Sequence, residues 1–188
     1  MSNDTPPIAV NWHLEAHCNY ACSFCYAPLT EQRLMEHLTE EEGIKLIQDL
    51  SSCGVDKINF VGGEPMLHPH LDEWIKESKR VGMTTSIVSN GTNMTREWLE
   101  SMRPYLDWLG LSVDASNDQI HAIMGRANAR EFKNGESGHL LRALHIAKIA
   151  NELNYGIKLN TVVTSANVHD DKTEVVKEIN PTRWKIFQ

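Results

Sequence analysis

Three of the four cysteines in this 188-residue chain fall within one short stretch, Cys18-Asn19-Tyr20-Ala21-Cys22-Ser23-Phe24-Cys25. Packing alone seldom concentrates thiols in this way. The spacing Cys-x-x-x-Cys-x-x-Cys reads as a ligand set for a soft metal: zinc, copper(I) or an iron–sulfur cluster. A structural zinc site closes with a fourth Cys or His, and an ordinary cluster takes four cysteines. Three thiolates therefore leave one position of a cubane cluster open to a small molecule. The competing readings are three buried thiols without metal, or a zinc site completed by His13 or His17. Cys53 lies in a helical pattern and reads as core.

Other candidates stand where strands are expected to end. In Val61-Gly62-Gly63-Glu64-Pro65 the glycine pair permits close approach of a ligand to the backbone, and Pro65 sets the exit of the turn. Ser89-Asn90-Gly91 and Ser112-Val113-Asp114 occupy equivalent places, with Asp114 read as secondary, a solvated loop residue. The elements that must position these groups alternate along the chain. Strands are expected at 8–14, 57–61, 84–89, 108–113, 156–163 and 183–187. Helices are expected at 39–53, 71–81, 95–102, 140–153 and 170–178, with Thr39 and Glu42 forming a capping box and Gly54 ending the first of them. Residues 125–138 read as a polar loop carrying Arg126, Arg130 and Lys133, either part of a lid or a mobile surface loop. Strand–helix alternation implies right-handed crossovers and a parallel sheet. The expected fold is α/β, a partial parallel (βα)6 barrel in a single domain, with residues 1–7 as a tail and the chain ending at about the sixth strand.

Alternation within the strands carries a further message. Strands of a parallel barrel are usually apolar on both faces, and residues at i and i+2 share a face. Asn11 and His13, Lys57 and Asn59, Lys158 and Asn160, and Arg183 and Lys185 each break an otherwise apolar strand. Burying unpaired charge is costly, so a lumen lined by these groups wants a polyanion, and a triphosphate suits it. A lone lysine at a strand start can instead snorkel to solvent; cations repeated on three strands fit that reading poorly.

Composition sets limits. Apolar residues make up 41% of the chain, enough for a core, and 18 basic against 25 acidic residues give a net charge of −7. That balance argues against general nucleic-acid or membrane-surface binding. The start of the chain has no signal-peptide pattern, and no apolar run reaches membrane-span length. Cysteine usage suits a reducing, cytoplasmic setting.

The cysteine run, with Tyr26 directly after its third thiol, resembles the signature of the radical SAM enzymes. That resemblance implies a 4Fe–4S cluster on Cys18, Cys22 and Cys25, with its unique iron chelated by S-adenosylmethionine. Gly62, Gly63 and Glu64 would then face the methionyl ammonium, Asn90 the ribose, and Ser112 and Arg126 the carboxylate, with Tyr26 beside them. Lys57-Ile58-Asn59-Phe60, Ile87-Val88-Ser89-Asn90-Gly91, Gly125-Arg126 and the closing Arg183-Trp184-Lys185-Ile186-Phe187-Gln188 are, more narrowly, similar to the viperin family. What this implies is conversion of a ribonucleoside triphosphate, CTP favoured and UTP or GTP possible, to its 3′-deoxy-3′,4′-didehydro analogue, an antiviral RNA chain terminator. The 4′ hydrogen is taken by a 5′-deoxyadenosyl radical and the 3′ hydroxyl leaves as water. Lys57, Lys158, Arg183 and Lys185 would grip phosphates, and Asn11, Asn59 and Asn160 would add hydrogen bonds. A reductant protein for the cluster is implied as partner. Relative to that family the chain lacks an amphipathic membrane helix and the C-terminal segment that helps close over the nucleotide. Another radical SAM branch (a molybdopterin-type cyclase or a peptide modifier) and a non-catalytic metal-binding domain are the alternatives.

Overall fold

The computed structural model describes residues 8–27 and 37–188. The tail at 1–7 and most of the stretch after the third cysteine lie outside the described residues. Six strands, β1 (Ala9–Glu15), β2 (Lys57–Gly62), β3 (Thr84–Ser89), β4 (Trp108–Ser112), β5 (Gly156–Val162) and β6 (Arg183–Phe187), form one sheet in the order β1-β2-β3-β4-β5-β6. Every neighbouring pair is parallel. β1 and β6 are not paired with each other, so the barrel is unclosed.

Helices α1 (Glu40–Ser52), α2 (Leu71–Arg80), α3 (Arg96–Met102), α4 (Asp118–Ile123), α5 (Ala129–Asn134), α6 (His139–Glu152) and α7 (Thr173–Ile179) fill the connections. The Thr39–Glu42 capping box is present: Glu42 N–H donates to Thr39 Oγ1 at 3.3 Å and Thr39 N–H to Glu42 Oε2 at 2.9 Å. Two short helices, α4 and α5, were not expected. The second lies inside the supposed polar loop 125–138, where Asn128 and Glu131 form another capping box and Gly135, at φ +69°, ends the helix. Cys53 is exposed rather than core, because it caps the end of α1 instead of continuing its apolar face.

Strand register sorts the side chains onto two faces. Ile58, Phe60, Ile87, Leu109, Leu111, Ile157 and Leu159 are buried against the helices, each contributing roughly 1.5–3 kcal/mol by leaving water. The helix layer closes tightly: a Cβ on Gly43 of α1 would lie 2.2 Å from Trp74 of α2, and Trp74 stacks on Trp12 with centroids 4.5 Å apart. Pairing partners on the opposite face run Asn11–Asn59–Ser86–Trp108 and Gly110–Lys158–Arg183 across the sheet. That polar face is the concave one.

Candidate active site

At the C-terminal rim, the thiol loop leaves β1 and is clamped from two sides. The β1–β2 pairing continues past the strands, with Gly63 N–H donating to Glu15 O at 2.6 Å and Glu64 N–H to His17 O at 2.8 Å. A Cβ on Gly63 would lie 2.3 Å from His17 O and 3.1 Å from Cys18 N, and one on Gly62 2.3 Å from Glu15 O. The side of this glycine pair where a Cβ would stand is therefore filled by the backbone that leads into Cys18. On the other side Ser23 N–H donates to Met124 O at 3.0 Å, and a Cβ on Gly125 would lie 2.5 Å from Ala21 O.

All three loop thiols are free, with Cys18 and Cys22 partly buried and Cys25 exposed. Burial pushes the Cys18 thiol up to about 11 and raises that of Cys22. A soft cation reverses that balance, since coordination replaces the proton. Three unpaired thiols on a loop held by backbone contacts suit a cluster that takes three protein ligands.

Tyr20, between the first two cysteines, is buried, and its hydroxyl lies 3.2 Å from His139 Nδ1 while accepting from Arg142 at 2.8 Å. Arg142 in turn pairs with Glu131 at 2.6 Å. This anchor was missed in the sequence, where Tyr20 gives no sign of a partner more than a hundred residues away. Tyr26 stands out from the loop, 88% exposed.

Glu64 stands at the centre of a hydrogen-bond network. Its carboxylate is buried and accepts from Ser89 Oγ at 2.7 Å, Met66 N–H at 3.1 Å and Asn90 N–H at 2.8 Å. Those donors tie the end of β2 to the end of β3, so the carboxylate braces the rim. Asn90 is also inside this network, donating to Asn19 Oδ1 at 2.7 Å and accepting from Thr92 N–H at 2.9 Å. Arg126 is buried, paired with Asp114 and set over the Phe24 ring at 5.3 Å. Asp114 is fully buried, not solvated, and also accepts from Val162 N–H at 2.7 Å. Ser112 sits half-buried on the luminal face at the end of β4, its carbonyl oxygen 2.7 Å from His139 Nε2.

The cations gather at the other end of the strands, around Trp108. Lys57, Lys158 and Arg183 lie 5.8, 5.2 and 5.9 Å from its ring centroid. Lys158 is 5% exposed and donates to Ser86 Oγ at 2.8 Å. Burial and the charges of Lys57, Lys185 and Arg183 bring its ammonium down to about 7. Among the described residues no carboxylate stands on the luminal strand positions level with these cations. Asn59 donates to Asn11 Oδ1 at 2.9 Å, while its own buried Oδ1 has no partner. Asn160 is half-buried on this face, and Arg183 and Lys185 stand on the exposed edge strand. Trp108 went unrecognised in the sequence, since an aromatic at a strand start reads as ordinary strand composition.

A partial α/β barrel with a three-thiol loop at one rim and a cation floor at the other is an arrangement suited to a soft metal and an anion. The family comparison makes this specific: the model of the radical SAM superfamily matches residues 16–136, and the chain belongs to that superfamily. The S-adenosylmethionine-dependent nucleotide dehydratase of Flammeovirga pacifica is 37% identical over 96% of this chain and 62% of its own length. The S-adenosylmethionine-dependent nucleotide dehydratase RSAD2 of Danio rerio is 32% identical over 98% of this chain and 50% of its own. The chain thus spans between half and two thirds of these relatives. Among solved structures, Streptococcus suis SuiB bound to S-adenosylmethionine superposes with a TM-score of 0.76 over 97% of this chain and 39% of its own, at 16% identity; this likeness speaks for the fold. Among the described residues no helix is long and apolar enough to cross a membrane.

Proposed function

We propose that this chain carries the catalytic barrel of a radical SAM nucleotide dehydratase acting on a ribonucleoside triphosphate, with CTP the favoured substrate and the 3′-deoxy-3′,4′-didehydro nucleotide the product. The observation that carries this reading is the convergence of Lys57, Lys158 and Arg183 on Trp108 with no carboxylate level with them on the described luminal strand positions. Such a floor favours an anion on it, and three to four cations match the charge of a triphosphate. Asn59 Oδ1, buried without a donor, is an acceptor suited to a nucleotide hydroxyl or amine.

In this reading Cys18, Cys22 and Cys25 hold a 4Fe–4S cluster whose fourth iron position takes S-adenosylmethionine. Together these cofactors supply hydrogen-abstracting radical chemistry, while the protein supplies position and exclusion of water. Arg126, kept charged by Asp114, is the cation beside the thiol loop and is assigned to the carboxylate of S-adenosylmethionine, with the Ser112 hydroxyl. The backbone of Gly62, Gly63 and Glu64 lines the ammonium side, and Asn90 and Tyr26 flank the adenosine. Lys57, Lys158, Arg183 and Lys185 hold the phosphates, with Asn11, Asn59 and Asn160 along the nucleoside. A reductant protein and a cytoplasmic setting accompany this assignment.

The test is anaerobic reconstitution with iron, sulfide and S-adenosylmethionine, measuring deoxyadenosine release with each ribonucleoside triphosphate in turn. Stimulation by one triphosphate, CTP foremost, is the expected result. Release that no nucleotide alters, or stimulation by a peptide instead, removes the nucleotide assignment.

A further inference from the structure

A second donor set lies at the end of β1, apart from the three thiols. The Glu15 side chain is only 3% exposed, yet its charge partners among the described residues are imidazoles alone: His17 Nδ1 at 2.8 Å and His37 Nε2 at 3.7 Å. His17 N–H also donates to the same carboxylate oxygen at 2.7 Å. One ligand atom from each of Glu15, His17 and His37 lies within 4.8 Å of the other two. The carboxylate oxygen that these nitrogens surround is withdrawn from water, and with the two rings it forms a compact ligand set.

An independent observation comes from His68, in the same wall. It is 4% exposed, and its ring stacks on that of His37 with centroids 5.1 Å apart and planes 16° off parallel. Its Nδ1 accepts the N–H of His70 at 3.2 Å, which leaves the hydrogen on Nε2. That Nε2 is buried and has no partner among the described residues. A buried N–H without an acceptor is the group most in need of one.

We propose that Glu15, His17 and His37 form a second metal site, for a borderline divalent cation such as Zn2+, with a solvent ligand completing the coordination and accepting from His68 Nε2. Two imidazole nitrogens and one carboxylate oxygen with an open fourth position form a zinc donor set, whereas calcium and magnesium want more oxygen ligands and copper(I) wants sulfur. This site does not depend on the reaction proposed above.

Zn2+ is to be titrated by calorimetry into the cluster-loaded full chain under anaerobic conditions, where iron already occupies the thiols. One zinc per chain beyond the iron is expected, weakened at least about tenfold in His37→Ala, with iron content unchanged. No zinc uptake, or equal uptake by His37→Ala and the parent, overturns the site. Co2+ added to the Cys18→Ser/Cys22→Ser/Cys25→Ser chain, its fold checked by circular dichroism, gives a second measurement. Visible ligand-field absorption without a near-ultraviolet thiolate band, lost on adding His37→Ala, supports the site. A thiolate band, or absorption that survives His37→Ala, refutes it.

Discussion

Lys158 is the side chain on which the proposed chemistry can be read most directly. Its ammonium is buried among cations and brought down to about 7 from an ordinary 10.5. Between those values the unfolded chain holds a proton that the folded chain lacks, so this residue makes stability rise with pH across that window. A bound polyanion restores the proton. Nucleotide binding at pH 8 should therefore take up a proton, seen as a dependence of binding enthalpy on the ionisation enthalpy of the buffer, and Lys158→Met should abolish it. Lys57→Ala should weaken nucleotide affinity by about tenfold or more while leaving iron loading intact; an unchanged affinity would remove Lys57 from the floor. These residues were legible in the sequence because parity along a strand fixes the face, whatever the neighbours. The protein contacts of Glu64 and the Gly62–Gly63 pair were not legible, for the converse reason. The sequence shows a carboxylate at a strand end, but not that Ser89 and Asn90 bring donors to it, nor that the backbone of residues 15–18 occupies the glycine cleft.

Among the elements, every strand and the long helices were legible, because period-two and period-3.6 patterns persist over enough residues to be seen. α4 and α5 were not, since six residues make fewer than two turns and little apolar stripe. They matter nonetheless. The loop between them carries Gly125 and Arg126 against the thiols, and Asn128 bridges to Tyr20. Gly63→Ala tests how firmly such elements hold the loop. Its Cβ would sit 2.3 Å from His17 O, so the backbone entering Cys18 must shift. Iron incorporation should fall severalfold while cooperative thermal unfolding persists. Full iron loading in that variant would show that the glycine clamp is dispensable.

The whole molecule carries a net charge of −7, yet its concave face gathers uncompensated positive charge, so attraction for an anion is confined to the lumen. Lys57, Trp108 and Arg183 each begin their strands, whereas Glu64, Asn90 and the thiol loop follow strand ends. At roughly 3.3 Å per residue, strands of this length stand as a fixed gauge between floor and rim. A molecule anchored by its terminal phosphate presents its sugar at one height only, and shortening the phosphate chain lowers or unmoors it. Nucleoside mono- and diphosphates should accordingly support less deoxyadenosine release than the triphosphate, even at saturation. The sheet would then select its substrate by length before any contact to the base is made.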